Sequence, residues 1–545
     1  MDKWKIRTKI EVGFGIIVVL MLLSVAIIPA LTRTITSSSD NMETFIRNSN
    51  GNYWAATGAN LQTAIWDLNS TGGTVWLPVG TIEFSTTRTG GDGYSTSIIL
   101  ESNICLKGSG RDTTILKLAN SANSNRFITC YGIKNFSISD LSFDGNLAGV
   151  TDSYCILKLD KTEKFTVSNI HIYHPKRNGI NIKSSYYALG TLDTIFIDDV
   201  DDIPNSQQSI SCDNISHINF KNIFIDGNGV DGPLTYGMDF NGVNHCIFNN
   251  IIINNTGEML KFDVDVYSHN NTFNNIVGTN LYATATPAIV LDGLDNSTFT
   301  DMNIQCKYRG IDIGTTSRNL IFSDIQIANC SATGAGIYNE GTKCMFDNIL
   351  INSYGVGKGI YGSGINCTYS NIIIQNTGGI GIDLRSGVNS NNCSFSNIIV
   401  LNSGTYGISM GGTSGMIFLN CKVYNSRSAG IITDAAHDFI ISNSIISSSD
   451  SFGIDYRNSY NFIVEGCIFL SNVGDGMDST SGASNNYTIS NCVFKGNPKS
   501  IDAKSTDNFF IISECICDSA GEIDINAARS TTRMVNDSIC TLVTS

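Results

Sequence analysis

The chain has 545 residues, of which 42% are hydrophobic and only 15% charged, with 52 Gly and 7 Pro. It is too apolar for a disordered chain, lacks the Glu, Lys, Arg, Ala and Leu richness of a coiled coil, and shows none of the helical periodicity that alternating βαβ units need. A formal net charge of −14 argues against nucleic acid or an anionic membrane surface as the main partner, because phosphate binding rests on clustered Lys and Arg. Cations and neutral polymers fit better.

Lys3, Lys5, Arg7 and Lys9 precede an uncharged apolar run from Val12 to Thr32 that is long enough to span a bilayer. The cationic flank places the N-terminus in the cytoplasm and everything after Arg33 outside it. A cleaved signal peptide is the alternative, with Ile28-Pro29-Ala30 as the cleavage site, but a run of about 21 residues exceeds the usual signal core. Both readings are extracytoplasmic: cell-surface and anchored through residues 12–32, or secreted. The segment KIRTKIEVGFGI is similar to the first membrane helix of chemoreceptors, from which only the topology carries over. Four parts follow: tip and membrane segment (1–34), linker (35–54), cap and first turns (55–145), and repeats to the end (146–545).

From about Asn178 to Asn526 the chain reads as units of about 22 to 25 residues, a period that signals a solenoid. Units open with strands such as NGINIK (178–183), YGMDFN (236–241), RGIDIG (309–314) and YGISMG (406–411). They close with strands such as CIFNNIIINN (246–255), CMFDNILINS (344–353) and CTYSNIIIQN (367–376). Apolar and polar residues alternate within each strand, so one face points inward, and Gly, Asn and Asp sit at the turns. Units that cannot bury an apolar face alone must stack, which predicts an all-β, single-stranded, right-handed parallel β-helix of about fifteen turns. Asn222, Asp324, Asp347, Asn371, Asn397 and Asn420 are expected to stack as a polar ladder at one turn. No LxxLxL pattern supports a leucine-rich repeat.

Ahead of the repeats, LQTAIWDLN (61–69) reads as a short amphipathic helix, followed by GGTVWLPVGTIEF (72–84), SNICLKGSGRDTTILKL (102–118) and DLSFDGN (140–146). This succession resembles the opening of the pectate lyase-like superfamily, which holds polygalacturonases, rhamnogalacturonases, alginate epimerases and phage tailspikes. The resemblance implies a helix that caps the open end of the rod and a carbohydrate polymer, an extracellular polysaccharide or cell-envelope glycan, as partner.

Sixteen Cys in an exported chain would ordinarily form disulfides. Here Cys344, Cys367 and Cys393 precede the inward Phe or Tyr of consecutive units by two residues, and Cys421, Cys467, Cys492 and Cys515 share a second inward column. Stacked buried thiols are expected, with bridges between adjacent turns as the alternative. The N-x-S/T sequons, Asn254 and Asn366 among them, are no more frequent than chance and carry no function.

The outward face of the opening strands holds the candidate site. With Ile180, Ile210, Met238, Phe262, Ile289 and Ile311 inward, Asn181, Ser211, Asp239, Asp263, Val290 and Asp312 share one outward column, and Lys183, Asp213, Asn241, Asp265, Asp292 and Gly314 the next. Asp239, Asp263 and Asp265 then lie within about one strand spacing of one another beside Lys261, close enough to raise a carboxylate pKa or recruit a cation. Two chemistries suit this set. A carboxylate pair can hydrolyse a glycosidic bond, or Asp213, Asp263, Asp265 and Asp292 can hold Ca²⁺ while a Lys or Arg abstracts a proton beside a uronate carboxylate. Lys183, Lys261 and Arg309 are the bases on this face, and Tyr186, Tyr187, Tyr236 and Tyr267 can stack on sugar rings. The excursion from Ser184 to Gln208, with Asp198, Asp199, Asp201 and Asp202, is expected to wall the groove.

Against this, Asp recurs at the same strand position at Asp383, Asp455, Asp478, Asp502 and Asp524, which also reads as a solvated residue after an inward Ile. The polygalacturonase motifs are unmatched: Tyr236, Leu260, Pro287 and Asp312-Ile313-Gly314 stand in their places. Of the alginate epimerase Asp-Pro-His, His171 and His174 are the nearest approach. Two functions remain open: a carbohydrate-active protein (lyase, hydrolase or epimerase), and a non-catalytic adhesin or envelope protein that uses the rod as spacer and display surface.

Overall fold

The structure, a computed structural model, describes residues 45–543 apart from 86, 121, 123, 147–154, 186, 201–206, 228–234, 264, 282–285, 331–333, 354–356, 386–389, 481, 504–506, 518–521, 526–532 and 537–540. The expected membrane segment lies outside the described residues, and no helix among them is long and apolar enough to cross a membrane.

Two long parallel ladders build a β-helix. The opening strands stack as Cys155–Asp160, Asn178–Lys183, Gln207–Ser216, Thr235–Asn244, Glu258–Phe262, Ile289–Leu291, Ile311–Ile313 and onward. The closing strands stack from Lys134–Asp144 through Glu163–Tyr173, Gly190–Val200 and Ile218–Gly227. Equivalent positions lie 29 residues apart at Phe136 and Phe165 but 23 apart at Phe395 and Phe418, so the early turns are longer than the expected period. Of the segment 184–208 expected to wall the groove, the described part is mostly strand. It contains the closing strand Gly190–Val200, and Asp198 bonds His171 Nε2 at 2.7 Å, while Asp201 and Asp202 lie outside the described residues.

Stacking places like on like. Phe248, Phe273, Phe299, Phe322, Phe346, Tyr369, Phe395 and Phe418 form one column of buried rings, near-parallel, with centroids 4.4 to 4.9 Å apart. That separation is the strand spacing itself, which sets the ring geometry in place of the offset that free aromatic pairs favour. Tyr369 keeps its hydroxyl satisfied, accepting from Asn339 Nδ2 (2.7 Å) and donating to Ser363 O (3.1 Å).

Each corner between paired strands needs a residue with positive φ, and Asn tolerates it best among residues with a side chain. Asn222, Asn250, Asn275, Asp324, Asn348, Asn371, Asn397 and Asn420 take it at one corner, with φ from 52° to 58°. Their amides bond up the column, as from Asn250 to Asn222 (2.7 Å) and from Asn397 to Asn371 (3.1 Å). Asp347 stands one residue outside this ladder. Asn348 holds the corner, and Asp347 accepts from Ser370 Oγ (2.6 Å) and Asn371 Nδ2 (2.7 Å).

A glycine column marks where the opening strands run closest to the closing ones. A Cβ on Gly407 would lie 2.2 Å from Val423 Cγ1 and 2.6 Å from the Gly430 carbonyl, closer than carbon atoms can approach. At the N-terminal end the helix runs Gly58–Trp66, starting three residues earlier than expected because Thr57 caps it, accepting from the Asn60 N–H at 3.3 Å. Leu61, Ala64 and Ile65 are buried. The antiparallel strands Phe45–Asn48 and Tyr53–Ala55 pair with each other, and the first also pairs with Gly73–Trp76, covering an edge that would otherwise invite another strand.

The buried-thiol reading holds in the main: among the described residues fourteen cysteines are free, thirteen of them buried. Cys517 departs from it and is disulfide-bonded.

Candidate active site

The register corrects one expected column. Met238 pairs with Leu260, Asp239 with Lys261 and Phe240 with Phe262, so Lys261 and not Asp263 continues the column of Ser211, Asp239, Val290 and Asp312. Asp263 falls one column over, where its N–H bonds the Phe240 carbonyl (3.0 Å) beside Asn241. Met259 hides this register in the sequence, since it occupies a place that is Gly237 one turn earlier and Ala288 one turn later. A Met fits there because the closing strand carries Gly278 opposite: a Cβ on Gly278 would sit 2.3 Å from Met259 Sδ.

This register assembles a charged cluster on two adjacent turns. Lys261 Nζ lies 3.0 Å from Asp263 Oδ1 and 4.9 Å from the centre of the Tyr236 ring. Burial works against the Lys261 charge, but Asp263, Tyr236 and Asp239 outweigh it and hold its pKa above the usual lysine value. Asp239 keeps one oxygen, Oδ1, buried without a hydrogen-bond partner. Burial first, then repulsion from Asp263, pushes its pKa up to about 6.

Glu258, three residues before Lys261 and paired in register with Tyr236, completes the set. It is 5% exposed, and its Oε2 has no hydrogen-bond partner. The Thr286 hydroxyl approaches it without closing a hydrogen bond. Burial dominates and pushes the pKa up to about 7, against the pull of Lys261. Burial also raises Tyr236, helped by Glu258. Sequence reasoning missed Glu258 because it sits outside the repeated Gly-Ile-Asp pattern. The available signal was Met259 in the glycine place of the repeat, which sets Glu258 level with Tyr236 of the turn before.

Other expected site residues spread along the same face. Lys183 pairs with Asp213 at 3.2 Å, and Asp213 also accepts from Asn214 Nδ2 at 2.7 Å. Asp292 is raised by burial and by Asp263, and its carboxylate lies over Gly314, where a Cβ would be 1.6 Å from Oδ1. Arg309 binds Asp312 at 2.5 Å and stacks on Tyr338 at 4.2 Å. Asp265 is exposed in the turn beyond Asp263. Tyr187 and Tyr267 are 73% and 60% exposed, and Tyr187 stacks on His217 rather than lining the floor. Tyr186 lies outside the described residues.

Asp213, Asp263, Asp265 and Asp292 do not converge as a Ca²⁺ site would require. Among the described residues, the one group of three whose ligand atoms lie within 4.8 Å of one another is Asp475, Asp478 and Asp502, near the other end of the rod. The recurrent Asp are not solvated either. Asp383, Asp455 and Asp502 are buried and paired with Lys358 (2.8 Å), Arg457 and Lys499 (3.3 Å).

Residues 359–516 match the family model of the right handed beta helix region. No curated protein matches the sequence. Solved structures that share the architecture include the A-module of the Azotobacter vinelandii mannuronan C-5 epimerase AlgE4, at 13% identity and TM-score 0.22 over 81% of this chain and 92% of that one. A second is the N-terminal fragment of bacteriophage Phi29 gene product 12, at 14% identity and TM-score 0.45 over 87% and 90%. A third is the catalytic domain of a GH87 α-1,3-glucanase, at 12% identity and TM-score 0.34 over 87% and 68%. At these scores they add nothing to the fold already visible in the strand pairings. Those ladders and the family match make the body of this chain a right-handed parallel β-helix, the architecture of the pectate lyase-like proteins.

Proposed function

We propose that the cluster of Asp239, Glu258, Lys261 and Asp263 is the acid-base centre of a polysaccharide-cleaving groove. The observation that carries this reading is the pair of buried carboxylate oxygens, Asp239 Oδ1 and Glu258 Oε2, left without protein partners on adjacent turns of a surface face. Buried polar atoms are seldom unpaired, and water or a ligand supplies the partner where the protein does not. Glu258, with a pKa of about 7, holds a proton for a leaving-group oxygen at neutral pH, while Asp239, at about 6, is mostly ionised and serves as base or nucleophile. Lys261 stays protonated in its pair with Asp263, which suits it to balance charge and not to abstract a proton. The chemistry is therefore glycoside hydrolysis in preference to elimination or epimerisation, and no step is routed through Ca²⁺.

The same proposal places the rod outside the cytoplasm, held by residues 12–32 with Lys3, Lys5, Arg7 and Lys9 inside. A protease added to intact cells should remove the rod; protection would overturn this placement.

The test uses the full chain in detergent with a panel of neutral and uronate polysaccharides, with and without Ca²⁺, following reducing ends and unsaturated-uronate absorbance. Reducing ends without absorbance are expected, reduced about 10²- to 10⁴-fold in Glu258→Gln. Absorbance would shift the chemistry to elimination. Silence in both channels from a folded rod would leave the surface-binding protein as the reading.

A further inference from the structure

We infer that Cys306 and Cys330 are a disulfide-forming pair that staples two neighbouring turns beneath the strand carrying Arg309. Their Sγ atoms lie 3.2 Å apart, and both residues are buried, at 4% and 1% exposure. In the Cys344, Cys367 and Cys393 column the sulfurs also accept from backbone N–H groups of the turn before, from Cys344 to Cys367 at 3.2 Å and from Cys367 to Cys393 at 3.3 Å.

The pair sits at the end of the closing strand Thr298–Cys306 and just after its successor Ile321–Ala328. Three residues after Cys306, Arg309 enters the groove to meet Asp312, and the two segments already touch: a Cβ on Gly334 would lie 2.0 Å from the Tyr308 carbonyl. A bond here fixes the corner from which Arg309 reaches the face. The inference stands independently of the groove chemistry.

Oxidation joins the two Sγ atoms, releases both thiol protons and passes two electrons to an oxidant, here a diazene such as diamide, which becomes the hydrazine. Both sulfurs are buried, so the bond, once made, is shielded from external reductant. The chain already carries one disulfide, at Cys517.

The experiment incubates the full chain in detergent with diamide below its unfolding temperature, then denatures it in alkylating agent and digests it with trypsin. Cleavage after Lys261, Lys307, Arg318 and Lys343 leaves Cys306 and Cys330 as the single cysteines of peptides 262–307 and 319–343. The expected product is those two peptides joined, lighter than their sum by two hydrogens and separated by reductant. Recovery of both peptides fully alkylated, or of Cys306 joined to any other cysteine, would overturn the inference. The Cys330→Ser variant should leave peptide 262–307 alkylated; because the wild-type map decides the matter, a folding defect in that variant does not.

Discussion

The same outward position of the opening strands has two fates along the rod. Towards the C-terminal end, Asp383 is completely buried yet harmless, because Lys358 reaches it from two strand positions away at 2.8 Å, and Arg457 and Lys499 do the same for Asp455 and Asp502. At Asp239 the nearest cation, Lys261, turns to Asp263 instead, and Glu258 is buried with no cation of its own. Whether an Asp at this position is neutralised therefore depends on which carboxylate the neighbouring lysine or arginine meets.

The contrast can be broken most forcefully at Lys358. Replacing it by Ala takes the ammonium away from a carboxylate with no exposed surface, and the expected cost is about 3 to 5 kcal/mol in chemical denaturation. Adding Asp383→Asn should restore most of it, and a single variant as stable as the parent would refute the structural reading of that pair.

Glu258 sharpens the other side through pH. Its pKa rises from the usual 4.5 to about 7 on folding, so the native state binds the proton more tightly than the unfolded chain. Stability from this group is full below 4.5 and is lost as pH rises through 7, about 3 kcal/mol in all. Unfolding midpoints at intervals from pH 4.5 to about 8 should fall more in the parent than in Glu258→Gln; parallel curves would show that Glu258 is not raised.

The scaffold that both regions share should answer alike in either. Gly407→Ala drives a methyl into Val423 and the Gly430 carbonyl, at about 1 to 3 kcal/mol, whereas Ala at the equivalent position 288 is native. The smallest effect belongs to Asn397→Gly, which keeps the positive φ of 55° and removes the amide bond to Asn371 and the long one from Asn420, about 1 kcal/mol. Loss of several kcal/mol there would mean that the ladder acts as a cooperative unit.

The sequence by itself determined the parallel β-helix, its inward aromatic and thiol columns and most of its Asn corners, because each of these repeats with the strand period and needs only local geometry. It also placed Asp239, Lys261 and Asp263 on one face. Tertiary structure alone decided which of them meet. Gly278 on the closing strand leaves room for Met259 in the glycine column, and only the pairing of the strands puts Lys261 in the Asp239 column and Glu258 beside Tyr236. Burial of Asp383, the pairing of Cys306 with Cys330 and the failure of four Asp to converge on a cation likewise depend on neighbours 23 or more residues away. Register across turns is a property of the whole stack, and a residue's charge state follows from what that stack packs around it.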